Sequence, residues 1–296
     1  MTAVTVVLAP TRLAVRTADG ARAELQLFDA EDAPEALLWL PAMGIAARHY
    51  AALGEQCAAH GLACAVHEWR GLGSSNLRAG RRCDWGYAEL LEDIGASLDA
   101  ARAHWPRRRW LLGGHSLGGQ MAVLFAARRP AAAQALVLIG CGMPYWRDFG
   151  PLARWPARAA FTLAPLLAAG IGRFPGRALG FGGNESRGVI RDWTRSARSG
   201  RYAPRQWSDA EEALAALCQP LLLLHAGDDR LVSRAAIDHL LVKMPMAPSS
   251  VRLLDPADFG TARIGHFRWM GTPAPVAAAI AAWRRPRHPP ATGAPA

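Results

Sequence analysis

Between residues 36 and 139, short and almost wholly apolar runs alternate with helix-forming stretches. Strands are predicted at Ala36–Leu40, Leu62–His67, Trp110–Gly113 and Ala135–Ile139. Helices are predicted around His49–His60, Tyr87–His104 and Leu117–Arg129. A strand wetted on one face alternates polar and apolar residues, so a strand apolar throughout must be covered on both faces. Strands of that kind separated by helices specify a parallel sheet with helices above and below. The rhythm stops after Gly140 and resumes with a strand at Pro220–His225, a helix at Ser233–Lys243, a strand at Ser250–Leu254 and a last helix at Pro273–Trp283. Three β-like runs precede it, Val4–Leu8, Arg12–Arg16 and Ala23–Phe28, broken by Ala9-Pro10 and Asp19-Gly20. Their partial alternation suits a partly solvated antiparallel edge. The expected fold is α/β, with a mostly parallel central sheet and an insertion between its sixth and seventh strands.

The insertion stands apart in composition. Residues 144–216 are rich in Pro, Gly and Arg and carry large aromatics, among them Tyr145, Trp146, Phe149, Trp155, Phe161, Phe174, Phe181, Trp193, Tyr202 and Trp207. An irregular cap or lid is expected there, because a structureless loop of that length is uncommon. About half of its aromatics are assigned to its own packing. Residues 1–143 and 217–284 make the core, and the Pro-rich residues 285–296 are expected to form a frayed tail.

Composition removes other classes. Hydrophobic residues make up 51% and charged ones 20% of the 296 residues, enough for a sizeable core. No apolar run approaches the roughly 18 residues of a membrane helix. The apolar Met1–Pro10 has no basic residue before it and reads as a strand, not a signal peptide. The five cysteines, Cys57, Cys64, Cys83, Cys141 and Cys218, show no CxxC spacing. They argue against a disulfide framework or zinc site and for a reducing cytoplasm. The net charge of +10 suggests nucleic acid, but Lys243 is the single lysine among 34 basic residues and the arginines are spread along the chain. That spread resembles codon bias more than a binding stripe, and no nucleic-acid partner is expected. Gly71-x-Gly73-x-x-Asn76 falls short of a dinucleotide fingerprint, and no HExxH, Walker A or EF-hand pattern occurs, so neither a cofactor nor a metal is expected.

The chemistry is carried by Gly114-His115-Ser116-Leu117-Gly118. The pentapeptide is weak alone, since a glycine-rich turn can look the same. Here it follows an apolar strand and opens a helix, which is the setting of a nucleophile elbow. A serine on so sharp a turn is presented at the end of the sheet, with a helix N-terminus beneath it to favour developing negative charge. It then needs a base and an acid, expected in the order Ser, acid, His. The strand Leu221–His225 runs into Ala226-Gly227-Asp228-Asp229-Arg230-Leu231-Val232. Either carboxylate lies at the strand end, where ligands meet a parallel sheet. The Asp-x-Leu-Val spacing favours Asp229 and leaves Asp228 to the turn. Of nine histidines, His266 alone follows the last strand on a loop after a glycine. His115, next to the serine, should point to the opposite side of the elbow. The expected triad is Ser116, Asp229 and His266, with oxyanion donors at the backbone N–H groups of Leu117 and, after the strand Ala36–Leu40, Met43.

These residues resemble the α/β-hydrolase superfamily from about residue 22 to 284. Pro41-Ala-Met-Gly-Ile-Ala-Ala-Arg-His-Tyr50 and His67-Glu-Trp-Arg-Gly-Leu-Gly-Ser-Ser75 are similar to the serine aminopeptidase and monoacylglycerol-lipase-like branch, in which an HGxG-type loop precedes a D-x-R-G-x-G-x-S turn. Tyr145-Trp146, Phe174-Pro175-Gly176, Phe181-Gly182-Gly183, Asp192-Trp193 and Gly265-His266-Phe267 are similar to a bacterial group of predicted hydrolases without a settled substrate. Two positions depart from the branch: Pro41-Ala42 replaces its His-Gly, and Glu68, expected to be structural, replaces its Asp. The resemblance implies a serine hydrolase, carboxylesterase- or lipase-like, acting on a small ester or thioester with an apolar acyl or alcohol part. Nothing supports peptidase action in particular. An acyltransferase or amidase on the same triad, or a catalytically silent binding protein, are the alternatives, and the sequence leaves the oligomeric state open.

Overall fold

Leucine, alanine and valine fill the middle strands, and the alternation of side chains along each strand sorts them to two faces. Leu38, Leu112, Leu136, Leu138 and Leu223 join one buried cluster, while Leu37, Trp39, Leu111, Val137 and Leu224 join the other. The structure, a computed structural model, describes residues 10–204 and 207–284. The expected strand Val4–Leu8 and the tail 285–296 lie outside the described residues.

The sheet has eight strands: β1 (Thr11–Arg16), β2 (Arg22–Phe28), β3 (Glu35–Leu40), β4 (Ala63–Val66), β5 (Arg109–His115), β6 (Ala135–Ile139), β9 (Leu221–Ala226) and β10 (Ser249–Leu254). Their order is β1-β2-β4-β3-β5-β6-β9-β10. The β1–β2 and β2–β4 pairs are antiparallel and all the others parallel, with Leu38 beside Leu112, Leu112 beside Leu136 and Leu138 beside Leu223. Helices α2 (Tyr87–His104), α3 (Leu117–Arg128) and α8 (Arg234–Val242) cover the first face; α1 (Ala51–Ala59) and α9 (Ala274–Arg284) cover the second. The expected strands and helices appear with ends shifted by one or two residues.

Between β6 and β9 the chain is more regular than expected. It holds α4 (Arg154–Ile171), α5 (Gly176–Leu179), α6 (Arg187–Ser199) and α7 (Ala210–Ala215), with a two-residue hairpin of β7 (Phe174–Pro175) and β8 (Asn184–Glu185). Proline and glycine content predicts irregular chain. Pro156, however, sits in the first turn of α4, where no helical bond is lost, and only Pro165 interrupts the ladder. Helix α6 carries ordinary end signals: the Ser186 hydroxyl accepts from the Val189 N–H at 3.3 Å, and Gly200 ends it with φ 71°. Trp146, Phe149, Phe161 and Trp193 form the segment's own cluster, with the Phe161 and Trp193 rings edge to face at 5.1 Å. Phe174, Tyr202, Phe181 and Trp207 turn instead to the main core.

Candidate active site

The site is assembled at the C-terminal ends of the parallel strands. β5 ends at His115 and α3 begins at Leu117, so the whole reversal falls on Ser116, which takes φ 54° and ψ −118°. A non-glycine residue with positive φ is strained by crowding at Cβ, a cost of order 1–3 kcal/mol that the surrounding packing must hold. The Ser116 N–H donates to the Ile139 carbonyl at 3.0 Å, and its carbonyl accepts from the Gln120 N–H at 3.1 Å. The flanking glycines are there for space: a Cβ on Gly114 would collide with the Gly118 backbone, and one on Gly118 with the carbonyls of Leu40 and Pro41. The same approach brings the end of β3 against the start of α3.

His266, 8% exposed, reaches the rim from the loop after β10. Its Nδ1 lies 2.7 Å from Oδ2 of Asp229. A carboxylate only accepts, so Nδ1 donates and Nε2 keeps its lone pair. The other Asp229 oxygen, Oδ1, accepts from the N–H groups of Leu231 and Val232 at 2.8 and 3.1 Å, which fixes the carboxylate from behind. Asp228 does something else: its Oδ1 accepts from the Gly265 N–H at 2.8 Å and so ties down the histidine loop. Gly140, after β6, leaves room for the pair. A Cβ there would stand 3.3 Å from the His266 ring and 3.5 Å from Asp229 Oδ2.

His115 points away from the Ser116 turn, into the second face, but it is not remote from the site. Its ring is fully buried and its centroid lies 4.7 Å from that of His266. Burial holds this imidazole well below the usual histidine range, and the neighbouring His266 adds to the effect. The Tyr50 oxygen accepts from the Ala42 N–H at 2.9 Å and meets His115 Nδ1 at 2.9 Å. Ala42 precedes Met43, so the residue before the serine is wired to the loop after β3. Trp69 Nε1 donates to the Pro41 carbonyl at 2.9 Å and holds the same loop from the other side. Sequence reasoning missed Tyr50, His115 and Gly140 as parts of this site, since their roles depend on neighbours distant along the chain.

The Met43 N–H has no acceptor among the described residues, and the Leu117 N–H, first in α3, has none within its helix. Both are backbone donors left available where the end of β3 meets the start of α3. Glu68 is structural: its two oxygens accept from the Ala47 and Ser74 N–H groups at 3.1 and 3.3 Å. Asn76, at the end of the glycine-rich turn, accepts from the Arg22 N–H at 2.7 Å. Among the described residues no group of three or more His, Cys, Asp or Glu is placed to hold a metal ion.

The family model described as serine aminopeptidase, S33, matches residues 32–257, a span that includes the elbow and the acid turn. The chain belongs to the serine aminopeptidase S33 family. Its fold is that of the α/β-hydrolases, as the solved structures also show. An esterase domain from Rhodothermus marinus is 19% identical, covers 93% of this chain and 98% of its own, and superposes with a TM-score of 0.62. A hydrolase from Pseudomonas aeruginosa is likewise 19% identical over 92% of this chain and 98% of its own, with a TM-score of 0.60. A structure from a study of Nitrososphaera gargenis carboxylesterases is 14% identical over 92% and 97%, with a TM-score of 0.62. At these identities the likeness is one of fold. No curated protein matches the sequence.

Proposed function

We propose that this S33-family chain is a serine hydrolase that cleaves a carboxylic ester or thioester with an apolar acyl or alcohol group. The observation that carries this reading is the 2.7 Å bond from His266 Nδ1 to Asp229, on the rim where Ser116 stands in a strained elbow. Ser116 Oγ attacks the carbonyl carbon while His266 Nε2 takes its proton. Asp229 holds the ring in the tautomer that leaves Nε2 free and stabilises the imidazolium that forms. The negative oxygen is held by the N–H groups of Met43 and Leu117, each worth about 3 kcal/mol in the transition state. His266 returns the proton to the leaving alcohol or thiol, and water then attacks the acyl-enzyme by the same base.

Residues 144–216 act as a cap in this reading. Support comes from the Phe181–Gly183 loop: a Cβ on Gly182 would touch Met43 Sδ at 3.2 Å, so the insertion lies on the donor loop. The substrate is a small molecule, without nucleic acid. The site of action is the cytoplasm, in keeping with Cys57, Cys64 and Cys141 buried and free. Among the described residues no helix is long and apolar enough to cross a membrane.

The test is labelling of the purified protein by a fluorophosphonate probe beside Ser116→Ala and His266→Ala, followed by a panel of short- and long-chain p-nitrophenyl esters. Labelling of the wild type that both substitutions abolish, with ester turnover, is the expected result. A folded wild type that neither labels nor turns over any ester would reject catalysis in favour of ligand binding.

A further inference from the structure

Helix α4 buries one face against α6 and the main core and leaves another apolar face in solvent. Phe161 and Ala168 point inward, whereas Trp155, Leu163, Leu166, Leu167 and Ile171 are exposed, Leu166 by 65% and Leu163 by 61%. At 100° per residue these five span an arc of about 160° on the side away from the buried pair. Leu152, just before the helix, is 95% exposed, and Leu179 in α5 is 56% exposed. Exposed large apolar residues gathered on one surface mark an interaction site.

The charge around the patch has one sign. No Asp or Glu occurs from residue 149 to 184, and Arg154, Arg158, Arg173 and Arg177 fall within that stretch, with Arg147 just before it. All five arginines are exposed, and none pairs with a carboxylate among the described residues. Arg158 lies over the rings of Trp146 and Trp155 at 5.0 and 5.6 Å, and Arg154 over Trp155 at 5.8 Å, so the cations sit at the border of the apolar face. A half-exposed tryptophan flanked by arginines, beside a row of leucines, suits the boundary between headgroups and acyl chains. A second copy of the chain suits the patch less well, because a two-fold contact would set the same arginines against one another.

We propose that the outward face of α4 docks this protein on an anionic phospholipid surface, lying in the interface without crossing it. The experiment is co-sedimentation of the full chain with vesicles of phosphatidylcholine alone and of phosphatidylcholine mixed equally with phosphatidylglycerol. It is run beside the double variant Leu163→Asp/Leu166→Asp, with light scattering of both proteins in solution. The expected result is partition onto the mixed vesicles that weakens with added salt, little onto phosphatidylcholine alone, and a loss of about tenfold or more in the variant. The variant keeps the wild-type melting temperature, which separates lost docking from lost fold, and the Ser116→Ala protein binds like the wild type whatever its catalytic state. Failure to bind the mixed vesicles, equal binding to phosphatidylcholine alone, or binding that survives the double variant each overturns the proposal. So does a dimer of the wild type that the same variant dissolves, which would make this face a contact between copies.

Discussion

The strand ends around Ser116 and the outer helix of the insertion are built on opposite terms. At the rim, burial and polar contacts are specified together. Asp229 accepts three hydrogen bonds, Asp228 anchors the loop that carries His266, and His115 is held through Tyr50 to Ala42. On α4, leucines face solvent, and Arg154 and Arg158 pair with no carboxylate among the described residues. A buried site can hold strain and fixed donors because neighbours on several strands over-determine each position. A surface helix is held by one face only, and its other face is free to meet something outside the chain. Precision in this molecule is a property of the sheet end, and exposed apolar surface a property of the insertion.

The sharpest test of that contrast is the pair of adjacent acids. Asp229→Asn removes the acceptor that sets the His266 tautomer and is expected to lower kcat by roughly 10⁴-fold. Asp228→Asn keeps an oxygen for the Gly265 N–H and is expected to cost less than about tenfold. Steady-state ester kinetics on both variants decide it, and equal losses would erase the distinction drawn here. Next in size, Leu223→Ala, fully buried on β9, should lose about 3 kcal/mol of stability in urea titration.

Glu185 tests whether the insertion has any interior of its own. This carboxyl is buried beside the Gly182–Gly183 loop, and burial raises its pKa to about 7 from an ordinary 4.5. The folded state therefore keeps a proton that the unfolded chain releases near pH 4.5. Stability should fall as pH rises from about 4.5 to about 7 and then level off. Glu185→Gln removes that dependence, leaving stability unchanged at the acid end of the window and raising it by ~3 kcal/mol at pH 8. Urea titrations of both proteins across this range check the sign, and a variant that is less stable at pH 8 would contradict it. The smallest effect is expected on α4, where Leu163→Ala should change stability by no more than about 0.5 kcal/mol, measured by thermal melting.

The central strands and the serine turn between β5 and α3 follow from local signals in the chain. Side chains alternate along a strand, so continuous apolar runs such as Ala135–Ile139 can only be strands buried on both faces. A glycine-flanked serine between such a strand and a helix has one conformation that closes the turn. The insertion was harder to read because proline and glycine signal breaks locally, whereas the helices there are held by packing of Phe161 against Trp193 and of α4 against α6. In the sequence, only spacing favours Asp229 over Asp228. The choice is a matter of which oxygen meets a ring 37 residues further on. Tyr50, His115 and Ala42 likewise form one hydrogen-bonded unit from a short 3-10 helix, a strand end and a loop. Local sequence carries conformation because backbone preference and burial period act between near neighbours. Hydrogen-bond partners across the sheet are set only when folding brings distant residues within 3 Å of one another, as in the 2.9 Å contacts of Tyr50.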